Sequence, residues 1–392
     1  MRFVIVGGGV AGIMAAMDLA RRQLGEVTVF SDEEYPYYYR PQLTEFLAGN
    51  LTMSQLLRRP LSWYEERNIR VRLGQQVTAL HPDRKAITVG AGEEVPYDKL
   101  LLAMGSLPAV PFIEGSHREG ILTWRTLEDT LEMEKAAVTC QSIVIVGGGL
   151  LGLEAARGLK SFCSDITVLE FFPRLMPRQL DVEAAALLKR FVESLGIRVV
   201  VDARAEEFVG GDRVTGVRLT EGTLYPAGTV VVAAGVRCNA ELAREAGVAV
   251  DRGVIVDNHM ATNVPDIYAA GDVAVYKGYN WAIAPIAQAQ GRVAAANMAD
   301  DTTLYDVVVP STTLKVVGID VSSVGHVNPD SEAFLEVAHL DSDAGTYKKI
   351  VLHEGTIVGS IVINDRRLAK ELENRIAAQE PMTPDEARIL ID

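Results

Sequence analysis

Two short apolar runs in this chain each end in a cluster of glycines. Phe3–Val6 leads into Gly7-Gly8-Gly9, and Ile143–Val146 leads into Gly147-Gly148-Gly149. Short continuous apolar runs bounded by turn residues are typical of strands that are buried on both faces of a parallel sheet. The pattern therefore predicts two copies of one unit, in which a buried strand, a tight glycine turn, a helix and a second strand follow one another.

The likeness between the two copies continues downstream. Each copy ends in an apolar run that stops at a glycine, namely Leu100–Gly105 in the first copy and Val230–Gly235 in the second. Residues 237–305 do not repeat, but they carry helix and strand signals and a further glycine turn at Ala270-Gly271-Asp272. We therefore expect two related nucleotide-binding units in one chain.

From about Val309 the pattern becomes rich in strand-forming residues. Four strands are predicted there, at Thr313–Val317, Ala333–His339, Thr346–His353 and Thr356–Ile363. Glu354-Gly355 predicts a hairpin turn between the last two. A charged helix is predicted over Arg366–Ala378, and a short final helix follows Pro384. Residues 309–392 are thus expected to form a third, smaller α+β domain with an antiparallel sheet.

Composition and charge exclude several classes of function. The chain has 392 residues and a net charge of −14, which argues against nucleic acid as the main partner because phosphate binding needs a basic face. No run approaches the roughly 18 apolar residues of a membrane helix, so no membrane span is expected. The three cysteines, Cys140, Cys163 and Cys238, are too far apart in sequence for a disulfide scaffold and fit a reducing cytoplasm. The six histidines show no metal-ligand spacing, and no metal site is expected.

The spacing Gly7-x-Gly9-x-x-Gly12, placed between a strand and a helix, is the pattern of a dinucleotide-binding turn. The first glycine allows the tight turn, the second lets a pyrophosphate approach the backbone, and the third lets the helix pack closely on the strand. The phosphates then meet the unpaired N–H groups at the helix N-terminus. The second copy repeats the spacing from Gly147 to Gly152, so two dinucleotide sites are expected.

An acidic residue about 20 positions beyond the third glycine is expected to bind a ribose hydroxyl. In the second copy this residue is Glu170, and since its charge repels a 2′-phosphate, NADH is predicted over NADPH. The nearby Arg174 argues against this preference for NADH, because an arginine can bind the 2′-phosphate of NADPH. In the first copy the aligned residue is Ser31, followed by Asp32 and Glu33. We favour Asp32 as the ribose-binding acid, and Glu33 takes that role if the alignment is shifted by one residue. The alternative without a binding role is that both acids belong to an exposed turn.

Two dinucleotide sites in one chain suggest FAD and NADH as cofactors. A nicotinamide gives up a hydride, which carries an electron pair. A flavin accepts that pair and can release it one electron at a time, while the protein holds both cofactors in place.

The chain resembles the FAD-dependent pyridine nucleotide–disulfide oxidoreductase superfamily over essentially its whole length. The resemblance rests on both glycine turns, on the two strand-end Ala-x-Gly segments and on Thr262–Asp272, which is similar to the family's second FAD motif. It implies an α/β fold with two Rossmann-like, three-layer nucleotide-binding domains, the NAD domain inserted into the FAD domain, and a small α+β C-terminal domain. The expected boundaries are 1–110 and 237–308 for the FAD domain, 111–236 for the NAD domain and 309–392 for the C-terminal interface domain.

The segment Tyr37–Glu45 narrows the resemblance. Arg40-Pro41-Gln42-Leu43 is similar to the Arg-Pro-x-Leu segment of NAD(P)H:rubredoxin oxidoreductases and of ferredoxin reductases. Thiol-dependent members of the superfamily carry one or two redox cysteines here, whereas residues 1–139 contain none, so the flavin is expected to be the only redox centre. Glu45 stands where the ferredoxin reductases usually have lysine, and a carboxylate near the flavin is expected to disfavour a negatively charged reduced flavin.

The resemblance also implies individual roles. Asp272 is expected to bind the flavin ribityl chain, with a helix N-cap as the alternative. Glu154, expected in the first turn of its helix, would orient the nicotinamide, with an exposed helix-start position as the alternative. Trp281 and Gln288 would line the flavin site, although a core position for Trp281 is equally open. Glu154 and Glu45 are the expected catalytic residues.

The remaining expected site residues contact one cofactor or the other. The expected FAD contacts are Gly7, Gly9, Ala11, Gly12, Asp32, Glu33, Arg40, Pro41, Val77, Ala103, Gly105, Gly271, Asp272, Ala287 and Gln288. The expected NAD contacts are Gly147, Gly149, Leu151, Gly152, Glu170, Ala234 and Gly235.

On these grounds the chain is expected to be a cytoplasmic FAD-dependent NADH oxidoreductase. It would pass single electrons to rubredoxin, ferredoxin or an iron–sulfur partner subunit, or run in reverse as the FAD subunit of a larger complex, and a homo-oligomer is among its expected states. Two alternatives stay open: an NADH-sensing flavoprotein that acts through partner binding, and an NADH oxidase that makes peroxide. The basic pairs Arg58-Arg59 and Arg366-Arg367 are either a solvated face or docking points for an acidic carrier.

Overall fold

The computed structural model describes residues 1–306, 311–316 and 319–392, with only the backbone described for 311–316. The strands up to residue 108 are β1 (Arg2–Val6), β2 (Glu26–Phe30), β3 (Ile69–Arg72), β4 (Val77–His81), β5 (Ala86–Val89), β6 (Glu93–Pro96), β7 (Lys99–Leu102) and β8 (Ser106–Pro108). Those of the middle of the chain are β9 (Ile121–Thr123), β10 (Ser142–Val146), β11 (Asp165–Leu169), β12 (Ile197–Val200), β13 (Ala205–Gly210), β14 (Val214–Leu219), β15 (Leu224–Pro226) and β16 (Thr229–Val232). The remaining described strands are β17 (Val236–Cys238), β18 (Val254–Val256), β19 (Ile267–Ala269), β20 (Ala274–Tyr276), β21 (Ser311–Val316), β22 (Ile319–Gly325), β23 (Phe334–Asp341), β24 (Thr346–His353) and β25 (Thr356–Ile363).

The helices alternate with these strands. They are α1 (Val10–Arg22), α2 (Leu43–Leu47), α3 (Met53–Leu56), α4 (Leu61–Glu65), α5 (Leu127–Thr139), α6 (Leu150–Leu159), α7 (Val182–Ser194), α8 (Glu241–Glu245), α9 (Ala284–Met298), α10 (Arg366–Ala377) and α11 (Pro384–Ile391). Two short 3₁₀ helices lie at Arg40–Gln42 and Pro82–Arg84.

The described residues group into two compact units. The first unit holds residues 1–43, 51–107 and those from 236 to 306, and the second holds 44–50, 108–235 and those from 311 onward. The short segment 44–50 therefore groups with the second unit although the chain around it belongs to the first. The domain boundaries expected from the sequence stay a prediction, and the one at 308/309 lies outside the described residues.

The first unit is built on a parallel sheet with the order β19-β7-β1-β2-β3. In its central strand β1, Phe3 is the register partner of Val27 in β2 and of Lys99 in β7. Phe3 and Ile5 are fully buried, as an apolar strand covered on both faces requires. Helices α1 and α9 pack against each other at a point where a side chain on Gly291 would overlap the Ala11 carbonyl oxygen.

The second unit repeats this arrangement. Its parallel sheet has the order β12-β11-β10-β16-β9, with β10 in the position that β1 holds in the first sheet. Ile143 of β10 pairs with Ile166 of β11 and with Thr229 of β16. The two glycine clusters therefore follow central strands of equivalent sheets, as the internal repeat predicts.

The C-terminal residues form an antiparallel sheet with the order β21-β22-β25-β24-β23, covered by α10 and α11. Leu372 and Ile350 are fully buried between them. Glu354 and Gly355 both have positive φ angles, 50° and 74°, which confirms the predicted hairpin turn. The fold class is confirmed: parallel Rossmann-like sheets are combined with a C-terminal antiparallel domain.

The sequence pattern missed β22 (Ile319–Gly325). This strand buries two serines, Ser322 and Ser323, at its centre, so its polar positions do not alternate with apolar ones as in a half-exposed strand. The strand predicted from Ala333 begins one residue later, at Phe334, and continues to Asp341. The last residue of the strand predicted at Thr313–Val317 lies outside the described residues.

Candidate functional site

The first glycine turn has the geometry that a dinucleotide requires. Gly7 has φ +114°, and a Cβ there would overlap the Ala103 carbonyl oxygen. A Cβ on Gly12 would overlap the Gly7 carbonyl oxygen, so α1 lies directly on the turn. A Cβ on Gly9, in contrast, would meet nothing within 4 Å. The first and third glycines are thus required for packing, whereas the second leaves open space for a ligand.

The second glycine turn repeats each of these features. Gly147 has φ +119° and approaches the Ala233 carbonyl, and Gly152 approaches the Gly147 carbonyl. A Cβ on Gly149 would again meet nothing within 4 Å. The open position therefore recurs at the equivalent glycine of the second sheet.

Three helices begin without the side-chain cap that the other long helices have. Among the described helices of eight residues or more, α1, α6 and α9 have neither a side-chain cap nor an acidic residue in the first turn. The side chains that cap the others are Thr126, Asp181, Asp365 and Thr383. Uncapped N-termini leave N–H groups and the positive end of the helix dipole available to an anion. The chain's residues therefore fit the pyrophosphates of FAD at α1 and of NADH at α6.

Glu170 is fixed at the end of β11 by two backbone donors. Its carboxylate accepts hydrogen bonds from Gly148 N at 2.6 Å and from Phe172 N at 2.8 Å, and the side chain is buried. Arg174 donates to the carbonyls of Leu180 and Pro177, each at 3.1 Å. The predicted ribose-binding acid thus lies beside the glycine turn, while the nearby arginine is engaged with its own loop.

In the first unit the position equivalent to Glu170 is occupied by Ser31. Gly7 N donates to Phe30 O just as Gly147 N donates to Leu169 O, which fixes the alignment of the two copies. Asp32, the favoured acid, is exposed. Glu33 instead accepts hydrogen bonds from the Tyr38 hydroxyl and from Arg40 Nη2, the latter at 2.7 Å.

Arg40 and Glu33 form an ion pair in a half-buried setting. Burial disfavours the charged guanidinium, but Glu33 and the more distant carboxylate of Asp272 outweigh it and raise the pKa of Arg40. The Arg-Pro-x-Leu segment therefore carries a permanent positive charge whose position is fixed by Glu33.

The turn at Gly271 brings several predicted FAD residues together. A Cβ on Gly271 would contact the Cβ atoms of Ala11 and Ala287, and Gly271 N donates to the buried Gln290 side chain at 2.8 Å. Asp272 accepts a hydrogen bond from Ser106 Oγ at 3.0 Å. The N-cap alternative for Asp272 is wrong, because the chain continues from it into strand β20 and not into a helix. Sequence reasoning missed Ser106 and Gln290, since no motif marks them.

A cavity of about 330 Å³ opens beside Gln288 in the first unit. It is also lined by Met14, Tyr37, Tyr38, Tyr39, Gln42, Leu56, Arg58 and Arg59. Trp281 lies outside the core: it is 41% exposed and stacks on Tyr279 with ring centroids 5.5 Å apart. The buried-core alternative for Trp281 is therefore wrong.

Glu154 is a half-buried carboxyl group on α6 with a hydroxyl partner. Thr44 Oγ1 donates to its Oε2 at 3.1 Å. Burial raises the pKa of Glu154 to about 7, against the lowering effects of Thr44 and Arg157, while Glu45 adds to the rise. The exposed helix-start alternative is wrong. The expected first-turn position is also wrong, because α6 begins at Leu150 and Glu154 falls in its second turn.

Glu45 is paired within the second unit. Its carboxylate accepts hydrogen bonds from Arg157 Nη1 at 2.8 Å and from Asn50 Nδ2 at 2.7 Å. Its negative charge is therefore offset by Arg157, a partner that the sequence did not identify. A Glu45→Lys exchange would place two cations together at this point.

The other predicted site residues differ in their burial and in the elements that carry them. Gly105 and Gly235 both have positive φ, at 71° and 112°, and each follows the end of a strand, β7 or β16. Ala103 is buried against Gly7, whereas Ala234 and Gly235 are exposed. Leu151 lies in the first turn of α6, Val77 begins β4 and Pro41 is exposed in a 3₁₀ helix. Their contacts with a cofactor stay predictions.

The described residues contain neither a metal-binding cluster nor a membrane-spanning helix. No group of three or more His, Cys, Asp or Glu side chains there is arranged to hold a metal ion. In the same part of the chain, no helix combines the length and apolar character needed to cross a membrane.

Comparison with protein families gives two matches. A family described as pyridine nucleotide-disulphide oxidoreductase matches residues 1–314. The C-terminal domain of rubredoxin NAD+ reductase matches residues 310–380.

Three relatives and one solved structure resemble the chain over most of its length. It is 37% identical over 367 residues to an NAD(P)H nitrite reductase of Bacillus subtilis. That alignment covers 93% of this chain and 46% of the nitrite reductase. It is 31% identical to the assimilatory nitrate reductase electron transfer subunit of the same organism, over 99% of this chain and 51% of that protein. An NADH-rubredoxin oxidoreductase of Clostridium acetobutylicum is 31% identical over 96% of this chain and 94% of its own length. Putidaredoxin reductase, in its covalent complex with putidaredoxin, superposes with a TM-score of 0.90 at 26% identity over 100% of this chain and 95% of that one.

The chain thus spans about half the length of the two Bacillus subtilis proteins and nearly all of the Clostridium protein.

Proposed function

Because the chain belongs to the pyridine nucleotide-disulphide oxidoreductase family, we propose that it oxidises NADH with FAD and passes the electrons to a small one-electron carrier protein. Members of this family use FAD and NADH. The observation that carries the proposal is the doubled turn: each of two parallel sheets has a central strand, a glycine with open space beside it and an uncapped helix. One chain thereby offers two dinucleotide sites.

The chain's own residues would hold the two cofactors. The free N–H groups at the start of α1 would bind the FAD pyrophosphate, and Asp272, fixed by Ser106, would receive the ribityl hydroxyls. The start of α6 would bind the NADH pyrophosphate, and Glu154 would orient the nicotinamide. When bound, FAD supplies the change from hydride uptake to single-electron release.

The arrangement around Glu170 supports NADH over NADPH. A buried carboxylate beside the turn accepts from a 2′-hydroxyl and repels a 2′-phosphate, and the guanidinium of Arg174 is held by two carbonyl oxygens of its own loop. We expect kcat/KM to be at least about tenfold higher for NADH, which corresponds to about 1.4 kcal/mol. A ratio that favours NADPH would contradict this assignment, and Glu170→Gln should reduce the preference.

The electron acceptor is proposed from the absence of cysteines in residues 1–139 and from the relatives. With no thiol there to receive electrons, they must leave the flavin for an outside acceptor. The full-length match to an NADH-rubredoxin oxidoreductase supports rubredoxin or a similar carrier. The three free cysteines support a reducing compartment such as the cytoplasm.

A second candidate is that the chain is the electron-transfer part of a larger redox system. The two Bacillus subtilis relatives are a nitrite reductase and an electron transfer subunit of a nitrate reductase, and the chain matches only about half of each. In that case an iron–sulfur partner would take the electrons in place of a free carrier.

The test is anaerobic stopped-flow reduction of the FAD-loaded chain by NADH, followed by mixing with rubredoxin, ferredoxin or oxygen. Reoxidation that is many-fold faster with a carrier protein than with oxygen is expected. Fast reoxidation by oxygen alone would identify a peroxide-forming oxidase. Slow reoxidation by all three, with a long-lived NAD–flavin complex, would identify an NADH sensor. Flavin that NADH does not reduce would overturn the proposal.

A further inference from the structure

Two cysteines that are 23 residues apart in sequence lie at matched positions at one edge of the second unit's parallel sheet. Cys140 stands two residues before the start of β10, and Cys163 stands two residues before the start of β11. The first residues of these strands, Ser142 and Asp165, are register partners. Cys140 and Cys163 therefore occupy equivalent positions, each two residues before one of two paired strands.

The side-chain contacts agree with this placement. Cys163 Sγ donates to Gln141 O at 3.5 Å and to Asp165 O at 3.4 Å, so it reaches across to the residue that follows Cys140. The Cys163 thiol lies near enough to Cys140 to influence the protonation of its thiol. Adjacent strands are about 4.8 Å apart, and a disulfide joins Cα atoms separated by about 4.4–6.8 Å. The general spacing between paired strands such as β10 and β11 falls in that range.

The pair has one accessible and one enclosed thiol. Cys140 is half-buried and Cys163 is buried, and both are reduced. Burial raises the pKa of the Cys140 thiol; the Thr229 hydroxyl opposes the rise and the Cys163 thiol adds to it. Thr229 Oγ1 is itself buried and has no hydrogen-bond partner among the described residues. A neutral thiol reacts slowly, so reaction with an oxidant should accelerate as the pH rises.

The pair lies at the opposite edge of the sheet from the glycine turn. The turn follows the C-terminal end of β10, whereas both cysteines precede the N-terminal ends of their strands. Cys163 N donates to Leu159 O at 3.0 Å, so this cysteine is attached to the last residue of α6, the helix that begins at the turn. The cysteines thus belong to the NAD-type unit without lying at its nucleotide end.

We infer that Cys140 and Cys163 form a dithiol site that small disulfide compounds oxidise to an intramolecular disulfide. Cys140 loses its proton and attacks one sulfur of the compound, whose S–S bond breaks and releases one thiol that takes up a proton. Cys163 then loses its proton and attacks the Cys140 sulfur, which releases the second thiol. The two protein thiols are oxidised and the compound is reduced to two thiols.

The test uses the FAD-loaded Cys238→Ser chain, in which only this pair remains, treated under native conditions with the chromogenic disulfide dithiobis(nitrobenzoate). We expect two reagent thiols to be released per chain, no reagent to be retained in the intact mass, and a digest that contains a dithiothreitol-sensitive peptide joining residues 140 and 163. Release should be several-fold faster at pH 9 than at pH 7. Retained reagent, or no release at either pH, would overturn the proposal.

The matched control is Cys163→Ser in the same background. It should release one reagent thiol and retain the other half on Cys140, because the second attack is lost. If this variant does not fold, the linked peptide from the parent chain still decides the question. None of these readouts uses NADH oxidation, so the dithiol proposal and the proposed function can fail independently.

Discussion

Glu154 is a half-buried carboxyl group whose pKa of about 7 makes its charge depend on pH in the physiological range. As NADH gives up hydride its ring becomes positive, and in the proposed role the ionised Glu154 carboxylate would stabilise that charge. Flavin reduction by NADH should therefore accelerate as the pH rises through about 7. Glu154→Gln should remove this dependence and reduce the rate at pH 8 by about tenfold, which corresponds to a loss of about 1.4 kcal/mol of transition-state stabilisation. Stopped-flow measurement from pH 6 to 9 checks both expectations.

Thr44→Val is the matched control for Glu154. It removes a hydrogen bond that favours the ionised form, so the apparent pKa should move above 7 while the pH dependence persists.

Stability gives an independent readout. A carboxyl group whose pKa is raised in the folded state loses its contribution to stability as the pH rises through that pKa. Glu154→Gln should consequently be more stable than the parent chain at pH 8, by about 1–2 kcal/mol. An unchanged pH profile in Glu154→Gln would exclude this carboxylate as the group responsible.

At the scale of elements, each proposed cofactor site has its own strand–turn–helix unit, so a substitution in one turn should affect the binding of one cofactor only. A methyl group on Gly149 meets open space, so Gly149→Ala should fold normally and bind FAD, yet bind NADH about tenfold more weakly, a difference of about 1.4 kcal/mol. Gly9→Ala is the counterpart and should instead lose FAD. Flavin absorbance of the purified chain and NADH titration distinguish the two variants.

Gly152, the third glycine of the second turn, should respond differently from Gly149. A methyl group on Gly152 would overlap the Gly147 carbonyl, so Gly152→Ala should lower the melting temperature as well as NADH binding. Equal NADH affinity in Gly149→Ala and the parent chain would show that the pyrophosphate does not approach this glycine.

For the whole molecule, the net charge of −14 raises the question of how an acidic carrier would bind. The two basic clusters differ in the structure. Arg366 is paired with Asp320 at 2.5 Å, whereas the guanidinium of Arg58 donates to the neutral Gln55 carbonyl and Arg59 lies over the Trp63 ring. Arg67 also lies over this ring but is paired with Glu66. The cluster around Trp63 thus keeps more of its positive charge available for steering.

Arg58→Glu should therefore raise the KM for an acidic carrier several-fold and weaken its salt dependence, with a smaller effect on flavin reduction by NADH. Arg366→Glu, at the neutralised cluster, is the control and should have a smaller effect. Carrier reduction measured at several ionic strengths decides between them. A loss in both half-reactions would indicate a structural defect and not a docking site.

How much the sequence predicted depends on the range of each signal. Local signals gave the strand–turn–helix units, the Glu354-Gly355 hairpin and the alignment of Ser31 with Glu170, because each is encoded within about 20–30 neighbouring residues. Strand β22 was missed because its buried serines break the apolar pattern. The partners of Glu154, Glu45 and Asp272 were missed because Thr44, Arg157 and Ser106 carry no motif.

By itself the sequence determined that this chain has two dinucleotide-binding turns, no cysteine in residues 1–139 and a separate β-rich C-terminal part. Glycine spacing and the count of cysteines are properties of the chain that folding does not alter. Only the tertiary structure decided which side chains share an environment: it raised the pKa of Glu154 by burial, offset the charge of Glu45 with Arg157, and brought Cys140 beside Cys163. Burial and charge pairing arise when distant segments pack together, and no short pattern in the chain encodes that packing.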